Sequence, residues 1–340
     1  MSRCRIVCFG ELLLRMSAPG HQLLLQTPQL EVHVGGAEAN VGVSLAHFGH
    51  DVAVATVVAD NPLGAHAVGE LRRHGVDTRH VQRREGRMGL YFLTTGAIHR
   101  PSEVVYDRAD STFALVEPGQ FDWGTLLDGV NWLHLSGVSP ALGPQAAQAT
   151  IAAARAARAA GVKVSFDGNF RPKLWQRWGG DAQAVLHDLF ACADIIFADY
   201  RDIGVVLGGN FEQDDVQARV DDAAARAFAA FPQLQYMACT QRTTHNVDHH
   251  SLAAMLIGRD GTRALAPSEE LLPIVDRIGG GDAFAAGILH GLIEGFTAQA
   301  TVEFGLAAAC LKHSIPGDFN PVGVADVQAL VGEGRFDVRR

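Results

Sequence analysis

The sequence predicts an α/β protein with a mainly parallel central sheet and a second, smaller sheet. Short apolar segments that end near a glycine or an aspartate alternate with helical segments along much of the chain. This alternation is typical of parallel strands joined by helices. Residues 11–34 and 88–108 interrupt it, because they alternate apolar and polar positions and carry β-branched and aromatic side chains. These two segments are expected to form antiparallel strands that together cover one side of the main domain.

The first four elements of the α/β pattern lie before residue 76. "RIVCFG" (5–10) is a short apolar run ending in glycine, which predicts a buried strand. "GGAEANVGVSLAHFG" (35–49) opens with two glycines and continues as a helix of small residues. "DVAVATVVAD" (51–60) is rich in β-branched residues and predicts a strand. "LGAHAVGELRRHG" (63–75) predicts a helix that stops at a glycine.

The same alternation resumes after the second interruption. "GPQAAQATIAAARAARAAG" (143–161) is rich in alanine, with Pro144 near its start and Gly161 past its end, which is typical of a helix. "VNWLHLSG", "VKVSFDGN" and "DIIFAD" predict strands, and "AVLHDLFACA" predicts a helix before the last of them. "YMACT" and "SLAAMLIG" predict two further strands.

Length and composition exclude several classes of protein. The 340 residues suit one large domain with a smaller appendage. A net charge of −9 argues against a general nucleic-acid binder, which needs a basic face. The five cysteines are scattered and form no C-x-x-C pair, which argues against zinc and disulfides and for reduced thiols in a cytoplasm. Neither a signal peptide nor an apolar stretch of membrane-spanning length is evident.

The stretch "DRIGGGDAFAAG" carries the strongest chemical signal. Gly279, Gly280 and Gly281 precede Asp282 where "AFAAGILHGLIEGF" predicts a helix. Glycines allow a tight approach to a ligand, and the unpaired N–H groups at a helix start attract a phosphate. A turn capped by Asp282 is the simpler alternative, but three glycines exceed what a cap needs. In phosphoryl transfer Asp282 can accept the proton of the attacking hydroxyl while the glycine amides hold the developing charge.

"GGAEANVGVSLAHFG" and "DRIGGGDAFAAGILHGL" together resemble the paired signatures of the ribokinase-like (PfkB) carbohydrate kinases. The resemblance implies a three-layer α/β/α sandwich, with residues 1–10, 35–87 and 109–340 in the main domain. It also implies that residues 11–34 and 88–108 form a β-sheet lid, which is a dimer interface in many members. Asp282 would then be the catalytic base, and Gly279, Gly280 and Gly281 would form the anion hole. ATP, Mg²⁺, a cytoplasmic location and a homo-oligomer follow from the same resemblance.

Further motifs resemble the 2-dehydro-3-deoxygluconate kinases of that family. They are "GGAEAN", "GLYFL" with "VVYDRADS", and "DGNFRPKLW". The resemblance implies a sugar site formed by Gly36, Asn40, Tyr91, Tyr106, Arg108, Arg171 and Asp282. A sugar acid differs from ribose or fructose in its carboxylate, which Arg108 and Arg171 could bind bidentately. The alternative for each arginine is an exposed surface position of little consequence.

The nucleotide side of the site also follows from the resemblance. The implied ATP contacts are Asn169, Arg171, Asp199, Thr240, Arg242, Gly279, Gly281 and Ala308. Lys312 and His313 are further candidates beside the adenine, and Asp202 would reach a hydrated Mg²⁺ through water. The resemblance leaves open whether a monovalent cation also binds.

Three features depart from the family pattern or invite another interpretation. Asp199 and Asp202 stand where many relatives have N-x-x-E, and Arg277 replaces a threonine in the second signature. "HNVDHH" (245–250) suggests a metal site, but a polar loop is the better interpretation because no cysteine or glutamate lies at ligand spacing. Another sugar kinase, such as a fructokinase, and a non-catalytic sugar or nucleotide sensor remain the alternatives.

Overall fold

The computed structural model describes residues 4–332. The strands of this part of the chain fall into two sheets. In chain order they are β1 (Arg5–Phe9), β2 (Leu13–Ser17), β3 (Glu31–Gly35), β4 (Asp51–Ala59), β5 (Val81–Arg84), β6 (Gly89–Thr94), β7 (Glu103–Asp107), β8 (Trp132–Ser136), β9 (Lys163–Asp167), β10 (Ile195–Phe197), β11 (Tyr236–Thr244), β12 (His250–Gly258) and β13 (Arg263–Leu271).

The helices occupy the segments between the strands of the larger sheet and the end of the described chain. They are α1 (Ala37–His47), α2 (Pro62–Arg73), α3 (Trp123–Leu126), α4 (Pro144–Ala159), α5 (Pro172–Trp178), α6 (Ala182–Phe190), α7 (Tyr200–Leu207), α8 (Val216–Ala230), α9 (Gly280–Glu294), α10 (Ala298–Lys312) and α11 (Val324–Gly332), with a 3₁₀ turn at Pro140–Leu142. No helix within residues 4–332 is both long enough and apolar enough to cross a lipid bilayer.

The larger sheet has nine strands in the order β13-β12-β11-β10-β9-β8-β1-β4-β5. From β11 to β5 every pairing is parallel, and only β12 and β13 are antiparallel to their neighbours. The predicted α/β class with a mainly parallel sheet and a second, smaller sheet is therefore confirmed.

Helices cover both faces of this sheet, which explains why its central strands β1, β4 and β10 are almost continuously apolar. In β1, Val7 and Phe9 face a core that is completed by α4, α6 and α8, while Ile6 and Cys8 face a second core completed by α1, α9 and α10. Successive side chains of a strand point to opposite faces, so one apolar run serves both cores.

The smaller sheet has the order β3-β2-β6-β7 and corrects one expectation from the sequence. β2 pairs with β3, and β6 pairs with β7, in antiparallel fashion as expected. The central pair β2–β6 is parallel, so the prediction of a wholly antiparallel sheet is wrong. β1 and β5 both run parallel to β4. Since each of them leads through a short connection into β2 or β6, those two strands enter the smaller sheet in the same direction.

Candidate active site

A cavity of about 820 Å³ lies at the carboxyl ends of the parallel strands, beneath the smaller sheet. This is the edge where α/β proteins bind ligands. Most of the site residues predicted from the sequence line it: Gly36, Asn40, Tyr91, Tyr106, Arg108, Asn169, Arg171, Asp202, Arg242, Gly279, Gly281 and Asp282. A smaller cavity of about 550 Å³ includes Arg5 and Asp51, at the amino ends of β1 and β4, and contains none of these residues.

The three glycines have different surroundings. Gly279 precedes α9 with φ 80°, and a Cβ there would lie 2.1 Å from the carbonyl oxygen of Asp318. Gly280 is buried, and its amide donates to the Arg277 carbonyl at 3.3 Å. A Cβ on Gly280 would meet the His313 ring at 2.6 Å, whereas one on Gly281 would meet open space. Gly279 and Gly281 line the cavity but Gly280 does not, so the predicted anion hole is supported by the cavity lining at only two of its three glycines.

Asp282 lies in the first turn of α9, where it accepts a hydrogen bond from a residue of α1. The Asn40 side-chain amide donates to Asp282 Oδ2 at 2.7 Å. Burial raises the pKa of Asp282 to about 6. The Asn40 hydrogen bond and the charges of Arg171 and Lys312 oppose that shift. The result is a carboxylate that is ionised at neutral pH, oriented by a neighbour, and located at a helix N-terminus.

Arg108 lines the cavity but is already paired. Its Nε donates to Glu11 Oε2 at 2.6 Å, and both side chains are almost completely buried. Ser111 donates to the other oxygen of Glu11. The expectation that Arg108 offers a free charge to a ligand carboxylate is therefore corrected, because Glu11 neutralises most of that charge. Glu11 was not among the predicted site residues, although its position just after the first strand could have indicated one.

Arg171 is exposed to the cavity and forms no ion pair of 4.0 Å or less within the described residues, although its charge acts on Asp167, Asp202 and Asp282. Its guanidinium donates only to the Phe170 carbonyl at 3.3 Å. The neighbouring Asn169 has φ 39°, and its side-chain amide donates to Ser136 Oγ at 3.0 Å. Of the two arginines predicted to bind a carboxylate, Arg171 is the one that is free to do so.

Two further carboxylates, Asp167 and Asp202, line the cavity. Asp202 lines the cavity, its Oδ2 accepts the Asp199 amide at 3.0 Å, and burial raises its pKa to about 6. Asp167, which the sequence analysis did not single out, ends β9 and has a raised pKa, first through burial and then through the charges of Asp282 and Asp202. Carboxylates facing an open cavity suit a hydrated Mg²⁺, so this donor set fits that ion.

Asp199 does not belong to the cavity. Its side chain accepts from the Arg201 amide at the start of α7 and forms an ion pair with the Arg201 guanidinium. Asp199 and Asp202 form a capping box, which explains their spacing without a ligand. Thr240 also lies outside the cavity lining, on β11. The predicted ATP contacts of Asp199 and Thr240 remain predictions that the cavity does not support.

Arg242 and Arg277 add positive charge to the cavity lining. Arg242 lies 2.7 Å from Nδ1 of His250 and 3.0 Å from Nε2 of His313. Removal of the Arg242 guanidinium from water, together with the charge of Arg277, lowers its pKa to about 10. Neither arginine has an acidic partner between residues 4 and 332. Such charges fit the phosphates of ATP.

Two residues expected beside the adenine lie elsewhere. Ala308 is completely buried in α10, where its Cβ packs against Gly287 of α9, so its predicted contact with ATP stays a prediction that its burial does not support. Lys312 is also completely buried and lies behind Gly279. Both positions follow from the packing of α10 on α9, which the sequence motifs do not encode.

A buried charge network connects the smaller sheet to the glycine loop. Arg15 on β2 lies 2.7 Å from Asp276 Oδ2 and 3.2 Å from Asp318 Oδ1. Tyr91 on β6 donates to Asp318 Oδ2 at 2.8 Å. Tyr91 therefore lines the cavity as predicted, and its hydroxyl proton is donated to a protein carboxylate. Asp276 begins the motif "DRIGGGDAFAAG" but was given no role there, and Arg15 and Asp318 lie outside the motifs.

Gly36 and Tyr106, both predicted to contact the sugar, also line the cavity. Gly36 has φ 148°, and a Cβ there would lie 2.2 Å from the carbonyl oxygen of Glu11. Only glycine fits at this junction of α1 with the segment that leads into β2. Tyr106 on β7 is half-buried and lines the cavity from the smaller sheet.

The histidine-rich turn connects β11 to β12, as a polar loop was expected to. The structure adds Glu270 from β13, which lies 2.5 Å from Nε2 of His249. His245 contacts Ser251 Oγ at 2.6 Å, and Ser251 donates to Glu270 at 2.8 Å. Glu270 is distant in sequence, so the absence of a glutamate at ligand spacing did not reveal that one lies beside these histidines in the fold. Hydrogen bonds within the cluster nevertheless account for its geometry.

Comparison with known proteins gives a consistent result. A family described as pfkB family carbohydrate kinase matches residues 4–233. The chain is 30% identical to a 2-dehydro-3-deoxygalactonokinase of Haloferax volcanii over 335 residues, which cover 98% of this chain and 99% of that protein. It is 25% identical to a 2-dehydro-3-deoxygluconokinase of Bacillus subtilis, with coverages of 92% and 91%. The crystal structure of a 2-dehydro-3-deoxygluconokinase from Thermotoga maritima superposes with a TM-score of 0.90 at 36% identity, covering 97% of this chain and 100% of the other.

Proposed function

Because the chain belongs to the pfkB family of carbohydrate kinases, and is therefore a sugar kinase, we propose that it phosphorylates 2-dehydro-3-deoxy-D-gluconate at the C6 hydroxyl. The products would be 2-dehydro-3-deoxy-6-phosphogluconate and ADP. The observation that carries the proposal is the position of Asp282, held by Asn40 at the N-terminus of α9 and open to the cavity. The names of the relatives from three organisms support the substrate class.

The chemistry assigned to these residues is acid–base and electrostatic. The C6 hydroxyl oxygen attacks the γ-phosphorus of ATP while Asp282 accepts the hydroxyl proton. The bond between the γ-phosphorus and the oxygen shared with the β-phosphate breaks, and ADP leaves. Amides at the start of α9, beside Gly279 and Gly281, face the charge on the transferred group. Arg242 and Arg277 oppose the remaining phosphate charge. Mg²⁺, for which Asp167 and Asp202 are the candidate residues, would neutralise phosphate oxygens.

We assign recognition of the sugar carboxylate chiefly to Arg171. Arg108 is paired directly with Glu11, whereas Arg171 forms no direct ion pair in the described chain and lines the same cavity. A guanidinium binds a carboxylate in bidentate geometry, which neutral sugars cannot exploit. The five cysteines are all free, which fits the proposed cytoplasmic reaction.

A substrate panel with matched variants tests the proposal. We expect turnover of 2-dehydro-3-deoxygluconate or its galactonate epimer to exceed that of fructose and ribose in an assay coupled to ADP release. Arg171→Met should lower kcat/KM for the acid about tenfold to a hundredfold, since a charge-assisted hydrogen bond contributes about 1.5–3 kcal/mol. Arg177→Met, an exposed arginine of α5 outside the cavity lining, is the control.

The panel also separates the alternatives. Efficient use of fructose or ribose with no use of either acid would contradict the assigned substrate and favour a fructokinase. Binding of sugar and ATP without turnover would favour a sensor. Equal losses of kcat/KM for acid and neutral sugars in Arg171→Met would refute the role given to Arg171.

A further inference from the structure

Lys312, the last residue of α10, is completely buried. Its ammonium group donates to the Ile315 carbonyl at 2.8 Å and lies 3.5 Å from the Asp276 carbonyl. Within residues 4–332 it forms no ion pair at 4.0 Å or less with a carboxylate. A buried ammonium is costly unless it is compensated, and here backbone carbonyl oxygens provide the direct contacts.

The ammonium lies directly behind the phosphate-binding loop. Asp276 begins the segment that leads into Gly279 and Asp282, and Lys312 Cε would lie 3.3 Å from a Cβ on Gly279. The Lys312 side chain therefore packs against the residue that precedes α9. Displacement of the Lys312 side chain would break its contact with the Asp276 carbonyl and remove the packing against Gly279.

The neighbouring charges show what Lys312 adds. The groups that face it are Asp276, Asp318, Asp282 and Arg15. Arg15 and Lys312 together balance Asp276 and Asp318, so without the ammonium the network would carry a net negative charge next to Asp282. Burial lowers the pKa of Lys312 to about 8, while Asp276 and Asp318 oppose that shift, so the ammonium is charged at neutral pH.

We propose that Lys312 is a positioning residue for phosphoryl transfer, acting as a built-in monovalent cation. Its ammonium fixes the carbonyls of Asp276 and Ile315 and keeps positive potential behind the loop from Gly279 to Asp282. That potential favours the charge that develops on the transferred phosphoryl group, and it keeps Asp282 ionised. Since the Lys312 ammonium already occupies the position beside these two carbonyl oxygens, the enzyme needs no added potassium or ammonium ion. The inference rests on the kinase reaction proposed above and on Asp282 as its base.

Lys312→Met tests the proposal, because methionine has a similar length and suits a buried apolar environment. We expect kcat to fall by about a hundredfold, the order seen when a group that stabilises transition-state charge is lost, with KM changed far less. The acid limb of the kcat/KM profile should move to higher pH, because Asp282 loses a positive neighbour. Lys163→Met, an exposed lysine at the amino end of β9, is the matched control.

Rescue by small cations distinguishes positioning by charge from a merely structural role. Lys312→Ala leaves space for a small cation, so ammonium or ethylammonium chloride should restore part of its kcat, while tetramethylammonium chloride should not. Wild-type kcat should be the same in potassium, sodium and tetramethylammonium salts at equal ionic strength.

Three outcomes would overturn the proposal: wild-type kcat in Lys312→Met, a wild-type requirement for potassium, or a loss of kcat that only follows a lowered melting temperature and is not rescued. These outcomes are independent of the assigned substrate. If the wild type uses a neutral sugar instead of the acid, the substrate proposal fails and the same variants are compared on that sugar.

Discussion

At the scale of single residues, Asp282 combines two properties that a proton acceptor needs. Asn40 holds one carboxylate oxygen at 2.7 Å and so limits the rotation of the group. Burial raises its pKa to about 6, which brings the basicity of Asp282 closer to neutral pH while leaving it ionised there. A surface aspartate would be equally ionised but a weaker base.

Asp282→Asn should lower kcat by about 10²–10⁴-fold, the usual contribution of general base catalysis. Wild-type kcat/KM should decline below pH 6 as Asp282 becomes protonated.

A carboxyl pKa that is higher in the folded state than in the unfolded state means that folding loses stability as pH rises from about 4 through 6. At pH 8 the variant should therefore melt no lower than the wild type. Unchanged kcat in a folded Asp282→Asn protein would contradict the assignment of the base.

Site residues that follow a strand directly could be predicted from the sequence, whereas contacts between distant segments could not. Asn169 and Arg171 follow directly after a strand of a parallel sheet, so their place at its carboxyl edge could be predicted. The pairing of Arg108 with Glu11 joins residues 97 positions apart. It depends on how the chain brings the residue after β7 next to the connection between β1 and β2, and no local pattern encodes that. A charge that looked free in the sequence is therefore neutralised in the fold.

At the scale of elements, the start of α9 depends on two adjacent glycines with different roles. Gly280 packs against the His313 ring, whereas Gly281 opens to the cavity. Gly280→Ala should lower the melting temperature, because its Cβ would lie 2.6 Å from the ring. Gly281→Ala should leave the melting temperature unchanged or raise it slightly, since alanine favours a helix, but it should impair ATP use by adding a methyl group to the phosphate site.

Circular dichroism melts and steady-state kinetics on both variants check this expectation. Equal melting temperatures for the two variants would show that the His313 contact is not limiting. Wild-type kinetics in Gly281→Ala would show that the phosphate does not approach this amide.

The order of elements was predictable, and the direction of one strand pair was not. Periodicity and glycine stops placed β1, α1, β4 and α2 because each has a local signature. The parallel pairing of β2 with β6 comes from the direction in which β1 and β5 leave the larger sheet. Strand polarity in a non-local pair is set by the path of the whole chain, which alternation within a segment does not reveal.

At the scale of the whole molecule, the outer face of the smaller sheet carries an apolar row. The register aligns Val32 with Met16, Met16 with Phe92, and Phe92 with Val105, across all four strands. Val32 and Val105 at the two ends are 48% and 46% exposed. The other face of the same sheet buries Leu13, Tyr91 and Leu93 over the cavity. An apolar row on the outside of a sheet suits contact with a second copy of the chain, which is the homo-oligomer that the sequence analysis expected through the lid.

Val105→Glu should therefore lower the oligomeric state, because a carboxylate would be buried without a partner in the contact. Light scattering coupled to size-exclusion chromatography should give a larger mass for the wild type than for the variant at the same concentration. Val216→Glu is the matched control, since Val216 is 40% exposed in the first turn of α8, where a negative charge is tolerated. A monomeric wild type, or an oligomer that survives Val105→Glu, would contradict assembly through this face. If the variant is monomeric, its kcat/KM for the sugar acid shows whether the second copy helps to position Tyr91 and Tyr106 over the cavity. A sheet that is packed against a partner on its outer face should order those two side chains more firmly, so a monomer should have the lower kcat/KM.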